Sequence, residues 1–145
     1  MSNLNLFLLR YFDIGKIKYA PGTACSFFVT LFYFFIPNNL FLQLFLIIFH
    51  LFLGFYCCYI FYKQSEEEDP SYIVIDEAAG MMIALFLIPK VFELYLLAFL
   101  IFRFLDIIKP SIIFRSQYFD YGIGIMLDDI LSGLITFLIL FGISL

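Results

Sequence analysis

Apolar residues fall into five runs separated by short polar or turn-forming stretches. The first covers about 24–36 and ends at Pro37-Asn38-Asn39, a strong turn signal. The second covers about 40–62, long enough for a bilayer, which takes about 20 residues. These two runs predict a helical hairpin. Residues 63–72, KQSEEEDPSY, form the one plainly hydrophilic loop, and Glu66, Glu67 and Glu68 are expected to be solvated there. A third run covers about 73–89 and stops at Pro89-Lys90, a fourth covers about 91–108 and stops before Lys109-Pro110, and a fifth covers about 123–144. Runs one and three are short for full spans. The pattern predicts an all-α, polytopic membrane helical bundle of four to five helices, with short interfacial helices or loops, forming a single domain over 1–145 without internal repeats.

Composition agrees with lipid as the solvent. Hydrophobic residues make up 64% of the chain and the mean hydropathy is +1.04, whereas soluble domains run nearer half apolar. A globule of this size has too much surface to hide the excess from water. The net charge of −4 leaves no basic footprint for nucleic acid. Cys25, Cys57 and Cys58 lie in apolar segments, and an odd count with an adjacent pair does not make a disulfide framework, so packing is their expected role. Residues 4–9 are apolar, but Arg10 ends that stretch short of the roughly 7–15 residues of a signal-peptide core, so no cleavable signal is expected.

Lys and Arg favour the cytoplasmic side of membrane proteins. With the N-terminus inside and five helices threaded, the inside segments hold Arg10, Lys16, Lys18, Lys63, Lys109 and Arg115, and the outside segments hold only Lys90. The same threading brings PGTACS (21–26), DPSYIVIDE (69–77), RFLDIIKP (103–110) and GIGIMLDD (122–129) to one membrane face. Convergence of the polar clusters on one face is what an active site needs.

Charged groups inside a bilayer cost from about 2.5 to above 10 kcal/mol and persist only when paired, hydrated or bound to a cation. Asp76, Glu77, Asp106, Asp128 and Asp129 form a carboxylate set whose mutual repulsion calls for protonation or a divalent cation. Hard oxygen donors suit Mg²⁺, which commonly bridges carboxylates to a phosphate. Arg103 and Asp106 share a helix face at i,i+3. Gly80 lies four residues from Asp76, and Gly133 four from Asp129, where a glycine admits another backbone or a ligand. Ser132, four residues from Asp128, is placed to donate to it. Lys109 and Arg103 are the best-placed cations for phosphate, and the Pro21-Gly22-Thr23 turn offers N–H groups and a hydroxyl at a helix start. Plainer readings exist for each feature: a structural Arg103–Asp106 pair, Thr23 and Ser26 as caps, Asp128 and Asp129 as solvated interfacial acids, Lys90 and Glu93 as interfacial charges on the other face, and His50 packing against or bonding a neighbour.

Absences narrow the chemistry. No cysteine is followed six residues later by arginine, no D-x-D pair is present, one histidine cannot run a two-histidine scheme, and the D-G…A-R…D spacing of CDP-alcohol phosphotransferases is missing. Water activated by metal and carboxylate is what remains.

Four segments, APGTACS (20–26), IVIDEAAGM (73–81), FRFLDIIKP (102–110) and GIGIMLDDILSG (122–133), resemble the phosphatidylglycerophosphatase A family, and the resemblance runs from about residue 20 to the C-terminus. It implies a bacterial inner-membrane enzyme, multi-pass with its active site on the cytoplasmic face. Such an enzyme uses Mg²⁺ to hydrolyse phosphatidylglycerophosphate, a phospholipid substrate, to phosphatidylglycerol and phosphate. Carried over by motif, Asp76, Glu77, Asp106, Asp128 and Asp129 would bind metal or act in catalysis, and Thr23, Arg103 and Lys109 would hold the phosphate. The chain departs from the family pattern at Cys25, where a glycine is usual, at Ile112, where a second proline is usual, and at Tyr121, where a glycine is frequent. The expected scheme has metal held by Asp76, Glu77, Asp128 and Asp129, one carboxylate as general base, and Arg103 and Lys109 offsetting phosphoryl charge. A cation transporter and a non-catalytic partner in a lipid-synthesis complex are the alternatives. A transporter would spread its acids across membrane depth.

Overall fold

The computed structural model describes residues 2–65 and 70–144; Glu66, Glu67, Glu68 and Asp69, read above as part of a solvated loop, lie outside the described residues. Among the described residues the chain is helical with no strand. Helix α1 is Asn3–Leu9, α2 Pro21–Phe35, α3 Leu40–Gln64, α4 Ile75–Ala84, α5 Phe92–Ile108, α6 Ser111–Ser116 and α7 Ile123–Ser144, with a 3-10 turn at Ile14–Lys16. Runs one, two, four and five become α2, α3, α5 and α7, and α3 begins where the Asn39 side chain accepts a bond from Leu42 N–H at 3.0 Å.

Two of these helices, α3 and α7, are long and apolar enough to cross a membrane by length and composition. At about 1.5 Å per residue α3 reaches roughly 37 Å, beyond the ~30 Å hydrocarbon core. Its face at Phe41, Phe45, Ile48 and Phe52 is exposed, with Phe41 at 81% and Phe52 at 73%, and the spacing is that of one helical stripe. A stripe of that kind is stable against hydrocarbon and costly against water. Helix α2, of 15 residues, and α5, of 17, are shorter.

The third run differs from the expected helix over 73–89. Only ten residues, Ile75–Ala84, are helical, and nine of them are buried. Helix α4 is the hub: it packs on α2, α3, α5 and most extensively on α7. Its sequence explains this, because Ala78, Ala79, Gly80 and Ala84 keep the cylinder thin enough to be surrounded. At its centre Gly80 meets α7. A Cβ on Gly80 would stand 2.6 Å from the Asp129 carbonyl oxygen, and one on Gly133 would run into the Gly80 carbonyl. The two glycines therefore set the crossing of the helices that carry Asp76, Glu77, Asp128 and Asp129, and it is a backbone, not a ligand, that approaches there.

Four serine and threonine hydroxyls within the apolar helices are satisfied locally. Ser26 donates to Gly22 O, Thr30 to Ser26 O, Ser132 to Asp128 O and Thr136 to Ser132 O, at 2.7–2.9 Å. The Ser132 bond thus goes to the backbone carbonyl of Asp128 and not to its carboxylate. His50 bonds neighbours as expected: Nδ1 donates to Leu46 O at 2.8 Å, which leaves Nε2 to accept the Tyr11 hydroxyl at 3.1 Å. At the end of the molecule holding the α2–α3 turn, Lys90 Nζ donates to the carbonyls of Phe34 and Ile36 and closes the C-terminus of α2. Buried Gln43 ties Asn38 to Leu87 N–H there.

Candidate active site

The starts of α2, α4 and α7 and the end of α5 meet at a cavity of about 290 Å³, room for roughly ten waters at ~30 Å³ each. Its lining includes Asp76, Glu77, Asp128, Asp129, Arg103, Asp106 and Lys109, so the structure brings together every charged residue that the sequence assigned to the candidate site. Thr23 does not line it; the neighbouring Pro21 and Gly22 do. Sequence reasoning did not single out Ala20, Ser71 and Ile73, which complete the wall.

Local folding explains the convergence. Pro21 occupies the first turn of α2, where its missing N–H costs nothing, and Ala20 enters that helix in the left-handed conformation (φ 48°). Asp76 and Glu77 stand in the first turn of α4, where the helix dipole favours negative charge. Lys109 ends α5 with a left-handed backbone (φ 47°), its N–H returning to Leu105 O at 2.8 Å; Pro110 prevents the helix from continuing. That turn sends Nζ to Asp128 Oδ2 at 2.5 Å.

The five carboxylates divide into two sets. Asp106 pairs with Arg103 one helical turn away, and Asp128 pairs with Lys109 and accepts from Asp129 N–H at 3.1 Å. Asp76, Glu77 and Asp129 form the other set: one oxygen from each lies within 4.8 Å of the others. Asp129 is 2% exposed and Asp76 7%. Asp76 Oδ1, Glu77 Oε2 and Asp129 Oδ1 are buried and lack a hydrogen-bond partner. Three carboxylates gathered out of water, each with an oxygen that lacks a donor, are a strong repulsive arrangement that a small divalent cation relieves. The residues present therefore fit a metal ion with hard oxygen preference. Arg103 Nη1 stands 3.7 Å from Glu77 Oε1 and links the two sets.

Two neighbours shape the space. A Cβ on Gly22 would collide with the Glu77 carboxylate and lie 3.2 Å from Arg103 Nη1, so glycine is what lets those side chains occupy the cavity mouth. Cys25, one of the three departures from the family pattern, is fully buried and does not line the cavity: its thiol donates to Val74 O at 3.1 Å, on the residue before α4. The opposite side of the same segment is held by α1, through Val74 N–H to Leu9 O at 2.9 Å and Arg10 over the Tyr72 ring at 5.0 Å. The acidic start of α4 is thereby braced from both sides.

The phosphatidylglycerophosphatase A family profile matches residues 7–144. A Haemophilus influenzae phosphatidylglycerophosphatase A is 37% identical over 140 residues, covering 92% of this chain and 84% of that protein. The Escherichia coli phosphatidylglycerophosphatase A is 34% identical over 152 residues, covering 99% and 86%. A Bacteroides thetaiotaomicron protein provisionally named a phosphatidylinositol-3-phosphatase is 31% identical over 138 residues, covering 89% and 86%. No solved structure matches the chain. The profile spans the four segments that build the cavity, and the chain belongs to the phosphatidylglycerophosphatase A family.

Proposed function

We propose that this protein is a Mg²⁺-dependent lipid phosphatase that hydrolyses phosphatidylglycerophosphate to phosphatidylglycerol and phosphate, at the cytoplasmic face of a bacterial inner membrane crossed by four or five of its helices. The single observation that carries the chemistry is the buried trio of partnerless acid oxygens on Asp76, Glu77 and Asp129, set beside Arg103 and Lys109 in one cavity.

Asp76, Glu77 and Asp129 would hold the cation, which when bound offsets charge on the phosphoryl oxygens and makes a coordinated water more acidic. Arg103 and Lys109 draw the phosphate into the cavity and balance its charge, while Asp106 and Asp128 hold those two cations in position. Water adds to phosphorus and the bond to the glycerol oxygen breaks. The proton released by the water passes through a carboxylate of the cluster to the departing oxygen. Pro21 and Gly22 leave the mouth open to the headgroup. The gathering of Asp76, Glu77, Asp106, Asp128 and Asp129 in one cavity at one end of the bundle counts against a cation path through the membrane, which needs acids along its length.

The test is phosphate release from phosphatidylglycerophosphate in detergent micelles, with Mg²⁺ and then with EDTA. Release that vanishes on chelation supports the reading; no release from folded, Mg²⁺-supplied protein overturns it. The B. thetaiotaomicron relative makes a phosphatidylinositol 3-phosphate arm the informative comparison, since both lipids present a phosphomonoester to the same cavity.

A further inference from the structure

A second cleft, of about 260 Å³, lies between α2 and α5, walled by Phe27, Leu31 and Phe34 from one helix and Phe92, Leu96 and Phe99 from the other. No charged side chain lines it, and the Thr30 hydroxyl at its edge is spent on Ser26 O within its own helix. From these observations we infer that the cleft seats one acyl chain of the lipid substrate, and so decides which chain lengths are turned over; the inference rests on the phosphatase reading above.

Position argues for this occupant. The two helices that wall the cleft are the two that supply Pro21 and Gly22, and Arg103, Asp106 and Lys109, to the acidic cavity. The cleft begins at Phe27 and Phe99, whose rings meet edge to face at 6.0 Å. Those residues stand five positions beyond Gly22 and four before Arg103, about 6–8 Å along the helices at ~1.5 Å per residue. The headgroup glycerol, the phosphodiester and the acylated glycerol that separate the scissile phosphate from its chains are together long enough to cover that interval. From Phe27 to Phe35 the cleft then runs about 12 Å along α2, most of one leaflet of a ~30 Å hydrocarbon core. A phosphate held at the cavity thus leaves its chain alongside a groove of matching chemistry, pointing into the membrane.

The experiment compares kcat/KM on a long-chain and a dihexanoyl phosphatidylglycerophosphate, in micelles, for the full chain and for Leu31→Trp and Leu96→Trp, which fill the cleft. The long-to-short ratio is expected to fall at least tenfold in both, while Phe52→Trp on the exposed stripe of α3 keeps the original ratio. An unchanged ratio in the cleft variants overturns the acyl-chain site and leaves the phosphatase reading standing; an unsubstituted protein that hydrolyses neither lipid overturns that reading instead. Photolabelling of the unsubstituted protein with a long-chain substrate carrying a mid-chain diazirine decides the matter without turnover or substitution. Labels in 27–35 and 92–99 that excess unlabelled long-chain substrate displaces, and dihexanoyl substrate does not, support the site. Labels spread over the outer faces and not displaced show bulk lipid or a second copy there, and overturn it.

Discussion

Asp76 and Asp129 reach the same point from two helices that cross at Gly80 and Gly133, and their partnerless oxygens carry the functional reading. Replacing both, in Asp76→Asn with Asp129→Asn, removes two of three hard donors. A metal contributes several kcal/mol at the transition state, so losing about 3 kcal/mol lowers kcat on the order of 100-fold. Activity at the original level in that variant, with Mg²⁺ saturating, refutes the assignment. Gly22→Ala tests the same place by filling it. The new methyl strikes the movable end of Glu77 and not a backbone atom, so the fold is expected to survive with little change in Tm. The apparent Mg²⁺ requirement rises and kcat falls. A Gly22→Ala protein with unaltered Mg²⁺ dependence means that Glu77 is not where the metal binds.

At the scale of elements, the α4–α7 crossing is where stability and chemistry coincide. Gly133→Ala would push a methyl into the Gly80 carbonyl, and neither backbone has room to give. Overpacking of this kind costs about 1–3 kcal/mol, and it also moves Asp129 away from Asp76 and Glu77. Thermal unfolding in detergent is expected at lower temperature together with lost activity. Gly142→Ala on the same helix, with nothing within 4 Å of the added methyl, leaves both unchanged. If Gly133→Ala matches Gly142→Ala, the helices do not cross at this pair. Element boundaries were largely readable beforehand, because polar breaks at Pro37-Asn38-Asn39, Pro89-Lys90 and Lys109-Pro110 are local signals. The shortness of α4 was not readable. Residues 85–89 are as apolar as those before them, and the helix stops because Leu85 closes its last turn and Leu87 is left-handed (φ 54°), a matter of long-range packing that includes the Gln43 bond to Leu87 N–H.

For the molecule as a whole, hydrophobic periodicity and charge placement led to the gathering of four polar segments at one end, since in a helical hairpin array alternate ends must meet. What sequence left open was the division of labour among the five acids. Helix rotation, set by contacts such as Cys25 to Val74 O and Lys109 to Asp128, decides which acid faces a cation and which faces another acid. The remaining expectation is the side of the membrane. Ser71, exposed at the rim of the cavity, and Asn38, exposed in the turn between α2 and α3, give it a direct test as single cysteines. Cys25, Cys57 and Cys58 are buried, which keeps the background of labelling low. In intact cells stripped of their outer layers, a membrane-impermeant maleimide is expected to label Asn38→Cys and to spare Ser71→Cys until the membrane is opened. The physical ground is the charge asymmetry: six Lys and Arg residues lie in the segments threaded to the cavity side against Lys90 on the other. Lys90 itself is spent on the carbonyls of Phe34 and Ile36, which leaves that end little free positive charge to hold it in the cytoplasm. The reverse labelling pattern would put the cavity outside and overturn the cytoplasmic assignment, while hydrolysis measured in micelles, which have no sides, would stand unaffected.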